Sequence, residues 1–163
     1  GLLAIFLLHV GAAIKVTRAN RAARPDPYRF PATVQTTYAA RTMVMSGLIV
    51  AAFVVYHLLH FTLGAVHGEH FGALDAAGRP DVHRMVVASF REWPITAAYL
   101  VAQVLLGMHI AHGASSAFQS LGVTHPRLAF LKTGFGPGVA TVIVLGNVSI
   151  PLACLIGLVP PSA

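Results

Sequence analysis

Three stretches of the chain stay apolar for longer than a buried core helix needs, at about 42–66, 94–118 and 138–159. Roughly 20 helical residues rising about 1.5 Å each cross a hydrocarbon core of about 30 Å, so each stretch predicts a membrane-spanning helix. A fourth apolar run, GLLAIFLLHVGAAI at residues 1–14, is too short to span. It begins without a methionine or a signal-peptide n-region and reads as the second half of a helix whose first half lies upstream. Polar segments separate these runs. KVTRANRAARPDPYRFP is a basic extension that Pro25, Pro27 and Pro31 break. Residues 67–93, with Gly68, Gly72, Gly78 and Pro80, predict a connection holding a short helix near 82–91. REWPITAAY then restarts a helix, with Pro94 in its first turn and Trp93 and Tyr99 suited to an interfacial belt. GVTHPRLAFLKTGFGPG turns the chain once more, and Pro151 predicts a kink in the last helix. The expected fold is all-α, a polytopic transmembrane helical bundle forming a single domain over 1–163, with helices at about 1–22, 42–66, 94–121 and 138–159.

Composition agrees with a bilayer as solvent. Of 163 residues 56% are hydrophobic and 10% charged, where soluble domains carry about a quarter charged. The net charge of +6 invites a nucleic-acid reading, but the distribution of charge argues against it. Lys15, Arg18, Arg21, Arg24, Arg29 and Arg41 lie between the first two apolar runs with Asp26 as the only acid. The next connection sets Arg79, Arg84 and Arg91 against Glu69, Asp75, Asp81 and Glu92, and the third holds Arg127 and Lys132 without an acid. By the positive-inside rule the first and third connections face the cytoplasm and the second faces outward. The single cysteine, Cys154, excludes an internal disulfide, a covalent Cys-x-x-Cys-His haem site and a four-thiolate cluster within the chain, and it reads as a small apolar helix residue.

Candidate chemistry resides in the histidines. His67, His70, His83 and His125 fall in connections and read as solvated or interfacial, whereas His9, His57, His60, His109 and His112 lie in apolar helices that contain no carboxylate. Imidazoles in a membrane interior either serve a function or join helices through hydrogen bonds. Depth sorts them. His9 lies about 9 Å from the cytoplasmic edge, His57 about 24 Å above it, and His109 about 24 Å below the outer edge, roughly 6 Å from the inner one. His9 and His109 therefore share a level, and His57 belongs to another. Two neutral imidazoles at one depth on different helices match a b-type haem, which needs one axial nitrogen on each face. Di-iron bundles use Glu and Glu-x-x-His ligands, which these helices lack. His57/His60 and His109/His112 each read H-x-x-H on one helix face, so one ring of each pair is a ligand candidate and the other a supporting group. Gly113, one turn beyond His109, and Gly64, two turns beyond His57, would let a macrocycle approach the backbone; close helix packing explains them equally well. Lys15, Arg18 and Arg41 are candidates for haem propionates, and topology alone also accounts for them.

LLHVGAAIKVTRANRAARP, RTMVMSGLIVAAFVVYHLLHFTLG and GMHIAHGASSAFQSLG, in this order, closely resemble the single-chain cytochrome b subunit of succinate dehydrogenases and fumarate reductases, the type with five transmembrane helices and two haems. The likeness covers nearly the whole chain as the second to fifth helices. It is most specific at the H-x-x-x-G motif from His109 to Gly113, supported by the spacing of Gly47 and His57. The resemblance implies that His9 and His109 ligate the iron of the haem nearer the cytoplasm. It also implies that His57 shares the distal haem with a histidine of the missing first helix, and that His60 and His112 are secondary. It further implies an electron-transport subunit of a bacterial inner-membrane complex of the tricarboxylic acid cycle. There a flavoprotein subunit acts on the dicarboxylate, an iron–sulfur subunit relays electrons, and this subunit exchanges them with quinone through haem b. Some relatives place an acid beside the fourth-helix ligand to move protons; Gly107 and Met108 stand there in this chain. Three other readings remain open: a haem-free structural anchor of the same complex, a di-haem cytochrome b of another dehydrogenase, and a histidine-lined metal or proton transporter.

Overall fold

The structure, a computed structural model, describes residues 1–23, 36–123 and 125–160. Among these the chain is all-α, without a strand beyond the isolated Leu74–Pro80 bridge. Four segments are long and apolar enough to cross a membrane, Leu2–Ala22, Tyr38–Thr62, Trp93–Ser120 and Pro126–Leu155, which is the architecture of a multi-pass membrane protein. The chain divides into two compact units, Gly1–Val44 and Met45–Ala163.

The first unit is built on helix α1, Leu2–Ala22, whose helical hydrogen bonding continues beyond the apolar stretch through Lys15, Arg18 and Arg21. Arg21 lies in the last turn, where a cation meets the negative end of the helix dipole. None of its residues is buried. The basic extension, with Arg24, Pro25, Asp26, Pro27, Arg29 and Pro31, lies outside the described residues.

Helix α2, Tyr38–His57, enters the second unit at Met45 and ends in a π-helical turn, Leu58–Thr62. The helix stops short of residue 66 because Gly64 takes a left-handed backbone (φ 61°) and the Phe71 ring fills the place of its missing side chain. Gly64 is therefore a loop residue, not a helix-face platform for a macrocycle. Helix α3, Val82–Arg91, falls where the sequence predicts it, capped by Asp81, whose carboxylate accepts from the Arg84 amide at 2.8 Å. Helix α4, Trp93–Ser120, follows directly. Pro94 has no N–H for the Phe90 carbonyl, and the Thr96 hydroxyl donates to that carbonyl instead at 2.8 Å, so the corner is satisfied without water. A 3₁₀ turn, Pro126–Leu128, and the short helix α5, Ala129–Thr133, lead into α6, Phe135–Leu155. Pro151 sits inside α6 without ending it, and Gly157 (φ 79°) closes the helix through the Schellman-type bond from the Leu158 amide to the Ala153 carbonyl.

Helices α4 and α6 pair through small residues, as membrane helices must when lipid is as apolar as their side chains. Gly107, Ala111 and Ser115 follow one another at four-residue steps on α4, and Gly136, Ala140 and Val144 do so on α6. A methyl group on Gly107 would stand 2.6 Å from Val144 Cγ2, and one on Gly136 would overlap the Ala111 carbonyl and Ser115. The Asn147 amide donates to Gln103 Oε1 at 3.0 Å across the same seam. The buried core of the unit, Val87, Phe90, Ile95, Tyr99 and Cys154, gathers where the amphipathic α3 covers the ends of α2, α4 and α6.

Candidate functional site

The π turn after His57 changes what the first H-x-x-H pair does. A wider turn rotates the residues that follow, and π turns mark many functional positions. His60 is 1% exposed, whereas His57 remains on the surface of α2. Both ring nitrogens of His60 are engaged, Nδ1 with the Tyr99 hydroxyl at 3.0 Å and Nε2 with Ser89 Oγ at 3.1 Å. The ring also stacks on Phe61 at 4.0 Å between centroids. His60 thus has the hydrogen-bonded, helix-joining role, and coordination through either nitrogen would break a buried hydrogen bond. The Tyr99 hydroxyl also lies 3.4 Å from His57 Nδ1. Tyr99 is consequently not a member of an interfacial belt; it is buried among Phe53, Tyr56, Phe61 and Phe90, while Trp93 is exposed as that role requires.

His109 is held at the other end of the α2/α4 pairing. Its Nδ1 lies 3.1 Å from Ser46 Oγ. A side chain on Gly47 would begin 3.3 Å from His109 Cε1, so the glycine makes room for the ring. The antiparallel register sets Ser46 opposite His109 and His57 opposite Tyr99. Ten residues of α4 separate Tyr99 from His109, which places the two candidate ligands of this unit about 15 Å apart along the helices. His57 and His109 thus stand at different heights along α2 and α4.

His9 is exposed on α1 in the first unit. His112 and Gly113 are half-buried on α4, and the Gly113 carbonyl accepts from Ser116 Oγ at 3.0 Å. Lys15 and Arg18 stand on α1 and Arg41 in α2, where Arg41 lies over the Tyr38 ring. Of the connection histidines, His83 lies on α3, His125 Nδ1 accepts from the Arg127 amide, and His67 has a left-handed backbone with its ring 5.1 Å from that of His60. His70 Nε2 meets Glu92 Oε1 at 3.4 Å, and with Glu69 these residues bring three ligand atoms within 4.8 Å of one another. The group is able to hold a metal ion, although the imidazole–carboxylate contact alone accounts for its geometry.

Among the described residues the spanning helices offer imidazoles and no carboxylate, a donor set that fits haem iron and not a hard cation. Both His57 and His109 meet a hydroxyl through Nδ1, the arrangement that orients a histidine to coordinate through Nε2. Ser46, Ser89 and Tyr99 carry no motif that would single them out in the sequence. The only signal for Ser46 is its place beside Gly47, one position along the spacing that leads to His57. Comparison of the chain with protein-family models, curated proteins and solved structures finds no match.

Proposed function

We propose that the chain is the haem b membrane anchor of a succinate:quinone oxidoreductase in a bacterial inner membrane, a subunit that carries electrons between an iron–sulfur partner and membrane quinone. The observation that carries this reading is the pair of imidazoles at two levels, each bonded through Nδ1 to a hydroxyl of a neighbouring helix. His109 and His57 would each give an axial ligand to a different haem, and His9 on α1 is a further ligand candidate. When bound, the haem supplies one-electron redox chemistry between iron–sulfur centres and quinone. The chain's own part is to orient its imidazoles and set their basicity through Ser46 and Tyr99. It breaks no bond in the dicarboxylate, which belongs to the flavoprotein. Arg127 and Lys132, on the connection before α6, offer a basic surface to the iron–sulfur subunit.

A reduced-minus-oxidised spectrum of the full-length protein purified in detergent tests the reading. A haem b alpha band, with flavin and iron–sulfur protein co-purifying, is the expected result. A spectrum without that band would leave a haem-free anchor, and a haem protein purifying with a different dehydrogenase would reassign the complex.

A further inference from the structure

Behind His57 lies a chain of side chains that haem ligation alone does not require. Tyr99 is 5% exposed, His60 1% and Ser89 0%, and they come from α4, the π turn and α3. Their polar atoms form one continuous line from His57 Nδ1 to the Tyr99 hydroxyl at 3.4 Å, to His60 Nδ1 at 3.0 Å, and from His60 Nε2 to Ser89 Oγ at 3.1 Å. Among the described residues no carboxylate hydrogen-bonds to the line, and its last member, Ser89, is buried.

The line has only two internally consistent directions. Tyr99 carries one hydroxyl proton and faces two Nδ1 atoms, so it donates to one histidine and accepts from the other. In the first direction His57 Nδ1–H donates to Tyr99, Tyr99 donates to His60 Nδ1, and His60 Nε2–H donates to Ser89. In the second, Ser89 donates to His60 Nε2, His60 Nδ1–H donates to Tyr99, and Tyr99 donates to His57 Nδ1. Both directions place the same number of protons on the same four residues and differ only in which atom carries each. The second leaves the His57 proton on Nε2, where no lone pair remains for a metal.

We infer that Tyr99, His60 and Ser89 are positioning residues whose hydrogen bonds are coupled to the tautomer of His57, so that ligation at His57 Nε2 sets the direction of every hydrogen bond as far as Ser89. The inference rests on the reading of His57 as a haem ligand. A proton donated from Nδ1 to Tyr99 makes the imidazole a stronger electron donor, as outer partners of metal-bound histidines do. Three rigid, buried neighbours then hold that proton where an exposed imidazole would share it with either nitrogen.

Nitrogen-15 NMR of histidine-labelled full-length protein tests this in the reduced state, where bis-imidazole ferrous haem is diamagnetic. With haem bound, His60 is expected to carry its proton on Nε2 and His57 on Nδ1. Tyr99→Phe should keep both haems, uncouple the His60 tautomer from haem loading and shift the midpoint potential of the His57 haem upward. Ser89→Ala should weaken the preference of His60 for Nε2–H while leaving the haem count unchanged. His60 found as the Nδ1–H tautomer in the loaded protein overturns the inference, as does a Tyr99→Phe variant in which neither tautomer nor potential changes. Loss of the His57 haem in Tyr99→Phe, with Tyr99→His failing to restore it and the His109 haem retained, would mark Tyr99 as a packing residue and also overturn the inference. A wild-type protein without any haem b band overturns the haem reading itself, a result distinct from all of these.

Discussion

His60 shows how one residue's meaning depends on a single irregular turn. Its spacing from His57 places both rings on one face of a regular helix, and nothing in LLHFT announces the π turn that carries His60 inward to Tyr99 and Ser89. In the sequence it has a supporting place beside His57; its partners were not legible there, since they lie 39 and 29 residues away. His60→Ala should leave the haem content of the full-length protein unchanged by pyridine haemochrome assay. It should also destabilise the fold by about 1–3 kcal/mol, because the Tyr99 and Ser89 hydroxyls lose their buried partner. His109→Ala should remove one haem and spare the other. Gly47→Val puts branched carbon against the His109 ring and should lower haem retention at that level at least tenfold, while the His57 level keeps its haem.

At the scale of elements, the seam between α4 and α6 depends on which atom a new methyl group would meet. On Gly136 it would meet backbone as well as the Ser115 hydroxyl, whereas on Gly107 it would meet only a Val144 methyl, held by the stiff χ1 of a β-branched helix residue. Both substitutions should destabilise by about 1–3 kcal/mol, Gly136→Ala toward the upper end, measured by unfolding in mixed micelles. In the connection before α3, Asp75 accepts from the Arg79 and Ala77 amides and pairs with the Arg79 guanidinium at 2.8 Å. The hydrogen bonds from the Arg79 backbone and side chain hold its carboxyl below the ordinary carboxylate range. A depressed native pKa gives order that is complete above that range and is lost as pH falls through the lowered value. Amide exchange at Ala77 and Arg79 should accordingly accelerate in acid, and Asp75→Asn should abolish that pH dependence. Helix existence was legible from apolar length, and α3 from its amphipathic run behind Asp81. Helix ends were less so: α2 stops at a left-handed glycine that periodicity cannot distinguish from a helical one.

For the whole molecule, Lys15, Arg18, Arg21, Arg24, Arg29 and Arg41 run from the later part of α1 to the start of α2 against the single acid Asp26, Arg127 and Lys132 precede α6 without an acid, and the other four acids lie between α2 and α4. A cysteine at Ala76 should react with a membrane-impermeant maleimide added outside intact cells, and one at Lys132 only after permeabilisation; Cys154, 1% exposed, should react in neither case. The reverse pattern would invert the topology and move the His57 level to the cytoplasmic side. The sequence by itself determined the all-α spanning architecture, the two levels of histidine and the absence of carboxylates between them, because helix rise and the thickness of a bilayer convert residue count directly into depth. Only the tertiary structure decided which imidazole of the first pair is spoken for and which hydroxyls stand behind His57 and His109. Rotation about a helix axis and contacts between distant segments are set by packing, and residue spacing records neither.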